Sequence, residues 1–200
     1  MKKLHRDDLY GWSVFDPERN IDFHSVVWVQ ETGNVVIDPL PLSEHDRRHL
    51  QDLGGVGSII ITNSDHSREG LRLKREWNAL LYGPAAEKDH FPFVCDKWLR
   101  EGDSVIPGLA IFELAGSKTP GELALMLGEH TLVTGDLIRC HMAAELCMLP
   151  DPKLADKQQA VASVRRLADI AAGVETVLVG DGWPVFRDGG AALRKLAMSL

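Results

Sequence analysis

Ile59-Ile60-Ile61-Thr62, running straight into Asn63-Ser64-Asp65-His66-Ser67-Arg68-Glu69, limits the fold more than any other stretch of this chain. Three consecutive β-branched apolar residues have no polar face, so they suit a strand buried on both sides. The abrupt change to polar side chains marks the strand's exit into a loop, and the sequence from about Ser67 to Trp77 reads as a helix following at once. A strand buried on both faces needs cover on both faces, which calls for layers of helix and sheet rather than an isolated hairpin. A loop at the end of such a strand is held rigidly, and α/β proteins place chemistry there.

The rest of the chain fits that frame. Gly11–Phe15 and Phe23–Gln30 read as strands joined by the polar stretch Asp16–Asp22. Glu31-Thr32-Gly33-Asn34 reads as a hairpin turn, and Val35-Val36-Ile37 as the return strand, ending at Asp38-Pro39. Ser43, with Asp46 three residues on, opens a helix that Gly54-Gly55 closes. Ala79–Tyr82 is a strand, and Ala85–Asp103 reads as irregular. Leu123–Leu127 and Thr131–Thr134 form a second hairpin, ending at Gly135-Asp136. Leu154–Ala172 carries Val161, Val164, Leu167, Ala168 and Ala171 at helical spacing, and Thr176–Val179 is a last buried strand. Asp188 is placed to cap a final helix. Two halves, each opened by a hairpin, predict a single α/β (α+β) domain over residues 1–200.

Composition narrows the function classes. The chain carries 22 basic and 29 acidic residues, a net charge of −7. The basic pairs Lys2-Lys3, Arg47-Arg48 and Arg165-Arg166 are scattered among acids, which argues against a nucleic-acid footprint. No apolar run is long enough to cross a bilayer, and Met1–Trp12 has no apolar segment of the secretory kind. Cys95, Cys140 and Cys147 are odd in number and lack C-x-x-C spacing, which predicts unpaired thiols and a reducing, cytoplasmic setting.

Several strands end in acids or polar loops: Asp38, Asn63–Arg68, Asp136 and Asp181, with Lys118-Thr119-Pro120-Gly121 as a further polar loop. In this order Val35-Val36-Ile37-Asp38, Ile59–Thr62, Thr119-Pro120-Gly121, Leu132-Val133-Thr134-Gly135-Asp136 and Val177–Gly182 resemble the metallo-β-lactamase superfamily over nearly the whole chain. The resemblance implies a four-layer αβ/βα sandwich, two mixed sheets face to face with helices outside, and a site along one edge. Active relatives hold one or two metal ions there. The ligands are a His-x-His-x-Asp-His loop, a His before Thr-Pro-Gly, the Asp of Thr-Gly-Asp and a His within Gly-His-Gly. Metal-bound water supplies hydroxide near neutral pH.

This chain departs from that pattern. Aligned on Thr62, Asn63 and Asp65 stand at the paired His positions, and Ser67 and Arg68 at the Asp-His positions. Lys118 precedes Thr-Pro-Gly, Asp181 replaces the His of Gly-x-Gly, and Asp136 alone is unchanged. An ammonium or guanidinium offers a metal no lone pair and repels it. Charges a few ångströms apart interact by roughly 4 kcal/mol at intermediate dielectric. The first expectation is therefore a member whose metal centre is replaced by protein charges, with Lys118 and Arg68 neutralising Asp65, Asp136 and Asp181. It would need no cofactor, have a binding or vestigial role, and take an anionic small molecule on Arg68 and Lys118 against Trp183. The alternative is a hydrolase of ester, thioester or phosphoester bonds. Asp65, His66, Asp136 and Asp181, with His141 in reach, would hold one divalent ion (Mg, Mn or Zn). Asp65, His66, Lys118, Asp136 and His141 are the candidate catalytic groups.

Each has a plainer reading. Asp136 and Asp181 can end strands and satisfy turns. Lys118 can be a solvated loop lysine, His66 a surface or capping residue, and His141 a structural one. The residues point to a small-molecule ligand and to neither nucleic acid nor membrane, and they leave a homodimer open.

Overall fold

The computed structural model describes residues 1–200 and places Ile59 and Ile60 in the middle of a seven-stranded sheet. Its strands follow chain order: β1 (Lys2–Lys3), β2 (Leu9–Asp16), β3 (Ile21–Trp28), β4 (Val35–Ile37), β5 (Ser58–Ile60), β6 (Leu80–Pro84) and β7 (Lys97–Leu99). β1 to β4 pair antiparallel, and β4 to β7 pair parallel. The change of sense follows from the connections. Short turns join β2 to β3 and β3 to β4, whereas helices α1 (Glu44–Asp52) and α2 (Gly70–Trp77) form the crossovers around β5.

The second sheet begins with β8 (Leu109–Leu114), β9 (Glu122–Leu127) and β10 (Thr131–Val133). A separate hairpin, β11 (Ile138–Met142) and β12 (Glu145–Met148), leads to α3 (Lys157–Ile170). β13 (Thr176–Leu178) then joins β10 in parallel, and α4 (Gly189–Ser199) ends the chain. Three apolar clusters fill the layers. Leu9, Val26, Ile60, Leu123, Leu125 and Leu178 meet between the sheets. Leu50, Ile59, Ile61, Leu73 and Leu81 pack under α1 and α2, and Val164, Leu167, Leu193 and Leu196 pack α3 and α4 on the second sheet. This is the four-layer αβ/βα sandwich. No helix is long and apolar enough to cross a membrane. The three cysteines are unpaired.

Local departures have local causes. The expected helix from Ser67 starts only at Gly70, because Arg68 takes φ +23° and the chain first makes a short 3-10 turn over Ser64–His66. Ser43 caps α1 as read, accepting from Asp46 N at 3.0 Å. Asp188 stands at the start of α4 with φ +58° and makes no capping bond, so its role there is conformational. Ala85–Asp103 is more ordered than its composition implies, with a 3-10 segment at Ala85–His90 and β7.

Candidate functional site

Strand ends converge at one edge between the sheets. Asp38 leaves β4 with φ +48°, buried, and its carboxylate accepts from Thr62 N at 2.7 Å and Thr62 Oγ1 at 2.6 Å. That fixes the first residue of the polar loop. His66, one turn later, points back into the edge. Its Nδ1 lies 2.8 Å from Asp38 Oδ2 and its Nε2 3.5 Å from Asp136 Oδ1. Asn63 Nδ2 donates to Asp136 Oδ2 at 3.1 Å. A carboxylate can only accept, so the amide orientation is fixed, and Asn63 Oδ1 is left buried without a partner.

Lys118 reaches the same carboxylate from the other half of the chain. Its Nζ is 2.7 Å from Asp65 Oδ2 and 2.9 Å from Asp136 Oδ2. Two buried acids fix the loop on either side of it. Glu87 accepts from Ser64 N at 2.6 Å, Thr119 Oγ1 at 2.6 Å and Gly121 N at 3.2 Å, tying the two polar loops together. Glu122 accepts from Ser117 Oγ at 3.0 Å and from Leu137 N at 3.0 Å. Gly135 lets this happen: a Cβ there would lie 2.9 Å from the Glu122 carboxyl and from Thr62 Oγ1.

The electrostatics follow from this packing. Burial would lower the pKa of His66, but the charges and hydrogen bonds of Asp38 and Asp136 outweigh it and raise it to about 9. Burial would raise Asp136, but His66 and Lys118 hold it well below the ordinary carboxylate range. Burial also opposes the charged form of Lys118, and Asp136 and Asp65 more than compensate, raising it. Glu122 is pushed up to about 7, first by burial and then by the Asp136 charge. Three carboxylates, Asp38, Asp65 and Asp136, thus face two bound cations, His66 and Lys118.

Several readings are corrected here. His66 is neither surface nor cap; it is 2% exposed between two acids. Lys118 is not a solvated loop lysine. Arg68 makes no ion pair or hydrogen bond with Asp65, Asp136 or Asp181: its guanidinium stacks on Phe23 at 5.3 Å, with Nη1 buried and unpartnered, and it acts on Asp136 and Asp65 only through space. Lys118 pairs with Asp65 and Asp136 but not with Asp181, which forms a second group. There Arg139 Nε donates to Asp181 Oδ1 at 3.0 Å, Arg139 also pairs with Oδ2, and His141 Nε2 lies 3.3 Å from Oδ2. Burial first, and then Arg139, lower the pKa of His141. Trp183 is 61% exposed and walls a groove of about 1070 Å³ beside this second group, with His141. No group of three His, Cys, Asp or Glu side chains is arranged to hold a metal ion.

Sequence reasoning missed Asp38 as a partner of His66, and it missed Glu87, Glu122 and Arg139 entirely. The buried acids give little local sign, because all their donors except Ser117, five residues before Glu122, lie 15 to 34 positions away.

The comparisons agree with the architecture. A metallo-beta-lactamase superfamily model matches residues 1–200. A metallo-beta-lactamase from Erythrobacter litoralis superposes with a TM-score of 0.79 at 14% identity, covering 99% of this chain and 96% of that one. A Pseudomonas aeruginosa metallo-beta-lactamase in its mono-zinc form gives 0.76 at 15% identity, covering 96% and 90%. A hydroxyacylglutathione hydrolase of Bdellovibrio bacteriovorus is 34% identical over 113 residues, 52% of this chain and 43% of that protein, so the chain matches less than half of that relative's length. The fold, the strand-end motifs and the full-length family match make this chain a member of the metallo-beta-lactamase superfamily.

Proposed function

We propose that this protein binds a small anion at the sandwich edge without a metal, with a protein ion-pair network in the place of the metal centre. The observation that carries the reading is Lys118 Nζ, 2.7 Å from Asp65 and 2.9 Å from Asp136. An ammonium so placed repels a cation and offers it no lone pair. His66 adds to the misfit, since both ring nitrogens face carboxylates and its raised pKa keeps both protonated at neutral pH. Asp181, the remaining carboxylate of the alternative ligand set, is held by Arg139. The residues present therefore do not suit zinc, iron, magnesium or manganese.

The anion preference rests on Arg68. Its Nη1 is buried and unpartnered, while Asn63 Oδ1, on the same loop, is a buried acceptor without a donor. Each such orphan disfavours the empty site by about 1–3 kcal/mol. A carboxylate or phosphate carrying a hydroxyl or N–H group would satisfy both. The hydrolase likeness keeps a second reading in view, an ester, thioester or phosphoester hydrolase with a carboxylate-rich centre.

Metal analysis of protein purified without chelator separates the two. Combined with thermal shifts against divalent cations and against lactate, phosphate and acetate, it should find no stoichiometric metal and a rise in melting temperature with the hydroxylated anion. Stoichiometric zinc, manganese or iron would overturn the reading.

A further inference from the structure

A second chemically competent cluster lies outside the Asp136 network, on the β2–β3 hairpin. Ser13 and His24 face each other across the two strands. Ser13 Oγ is 2.7 Å from His24 Nδ1, and His24 Nε2 is 2.5 Å from the carbonyl oxygen of Gly182. The carbonyl can only accept, so the Nε2 nitrogen carries the ring proton. In the neutral imidazole, Nδ1 is then an acceptor, and the Ser13 hydroxyl must donate to it. A hydroxyl aimed at a base, with the base fixed by a third group, is the arrangement that activates an oxygen nucleophile.

The third group is held rigidly. Gly182 N donates to Asp22 O at 2.9 Å and Trp183 N to Cys140 O at 2.7 Å, while His24 N donates to Gly180 O at 3.0 Å. Gly182 takes φ +92°, and a Cβ there would lie 2.1 Å from Cys140 O, so only glycine brings its carbonyl to this position. Ser13 itself is exposed and opens on the groove of about 1070 Å³. Phe15, Ile21, Trp183 and Phe186 give that groove apolar walls; Lys2, Arg19, Asp22 and the ion pair of the Met1 ammonium with Asp46 supply its charges.

We propose that Ser13 is an acyl-accepting nucleophile with His24 as its general base, acting on carboxylic esters that have an apolar acyl or alcohol part. In the step, Ser13 Oγ bonds to the ester carbonyl carbon while its proton passes to His24 Nδ1. The carbon–alkoxide bond breaks with its electron pair on the departing oxygen, which takes the proton from Nδ1. Water then bonds to the acyl carbon as its proton passes to Nδ1, the carbon–Oγ bond breaks with its electron pair on Oγ, and Oγ takes the proton from Nδ1, which releases the acid and restores the serine. The charge forming on the imidazole in the first step is stabilised by the Gly182 carbonyl.

The test uses the full chain with 4-nitrophenyl butyrate and, separately, a fluorophosphonate probe. The expected result is release of 4-nitrophenolate with a covalent adduct mapped to Ser13. Ser13→Ala should abolish the adduct, and His24→Gln should slow labelling by about 100-fold or more. Ser13→Cys should keep the nucleophile and accept the butyryl group, which a merely structural serine would not predict. Absence of an adduct at Ser13, or equal labelling of folded His24→Gln protein, overturns the proposal.

Discussion

Replacing Lys118 with methionine keeps an unbranched apolar stem and removes the charged end group, so it isolates what the ammonium contributes. Each of its two contacts, 2.7 Å and 2.9 Å long, represents an attraction of about 6 kcal/mol at an effective dielectric of about 20. Desolvation of the lysine and of Asp136 offsets most of that. Breaking a fully buried pair costs about 3–5 kcal/mol, because a charge is left buried and alone. Here the Lys118 side chain is 32% exposed and that of Asp65 52%, so water screens part of the loss, and about 2 kcal/mol is expected. For a chain of this length that lowers the melting temperature by about 4–8 °C at neutral pH. The variant should also gain a response the wild type lacks. With the ammonium gone, Asp65, Asp136 and Asn63 Oδ1 present oxygen donors to a hard cation, and manganese at 100 times its Kd would restore about 2.7 kcal/mol. Urea titrations with and without manganese read both effects. A variant as stable as the wild type and indifferent to manganese would refute the claim that Lys118 holds these carboxylates together.

Two other perturbations act on the same edge. Below pH 6.5 His66 is protonated in both folded and unfolded chains, and its full contribution is present. Above that the unfolded chain loses the proton first, so stability should fall by about 3 kcal/mol between pH 6.5 and 9, read from urea midpoints across that range. Glu122, raised from 4.5 to about 7, ionises first in the unfolded chain, so stability should also fall between pH 4.5 and 7. Glu122→Gln, which can still accept from Leu137 N, should flatten that limb and leave the His66 limb in place. Gly182→Ala places a Cβ against Cys140 O at φ +92° and should cost about 3 kcal/mol or more in thermal unfolding.

The parts of the fold legible in sequence are those fixed by neighbours in sequence. Ile59-Ile60-Ile61, the two hairpins and the helical spacing of Val164, Leu167 and Ala168 each announce their element within a few residues. The β11–β12 hairpin does not: Ile138–Met142 alternates, but its partner Glu145–Met148 has three apolar residues in a row, and the pairing is irregular between Arg139 and Met142. The strand-end acids were legible as positions but not as partners. Asp38 and His66 are 28 residues apart, Asn63 and Asp136 73 apart, and Arg139 and Asp181 42 apart. Nothing local distinguishes an arginine bound for Asp181 from one bound for solvent, and so Arg68, the residue aligned with a family ligand, was given the task that Arg139 performs. The Ser13–His24 pair was hidden for a different reason. Both residues look ordinary in a polar hairpin, and only the cross-strand register, with the Gly182 carbonyl beyond, gives them a direction.

An ammonium and a metal ion are not equivalent ways to neutralise the same carboxylates, and the difference limits what this edge can do on the proposed reading. A divalent cation brings two charges to one point. Lys118 brings one, so a second cation has to be found, and His66 supplies it by keeping its proton well above its ordinary pKa. The price of that arrangement is a locked site: His66 uses both nitrogens on Asp38 and Asp136, and Lys118 uses two of its three donors on Asp65 and Asp136. Neither His66 nor Lys118 then keeps a lone pair to accept a proton from water. What remains free is one Lys118 donor, the Arg68 Nη1 group and Asn63 Oδ1. Those can orient a bound anion, whereas the groups that can move a proton, Ser13 and His24, sit on the neighbouring hairpin.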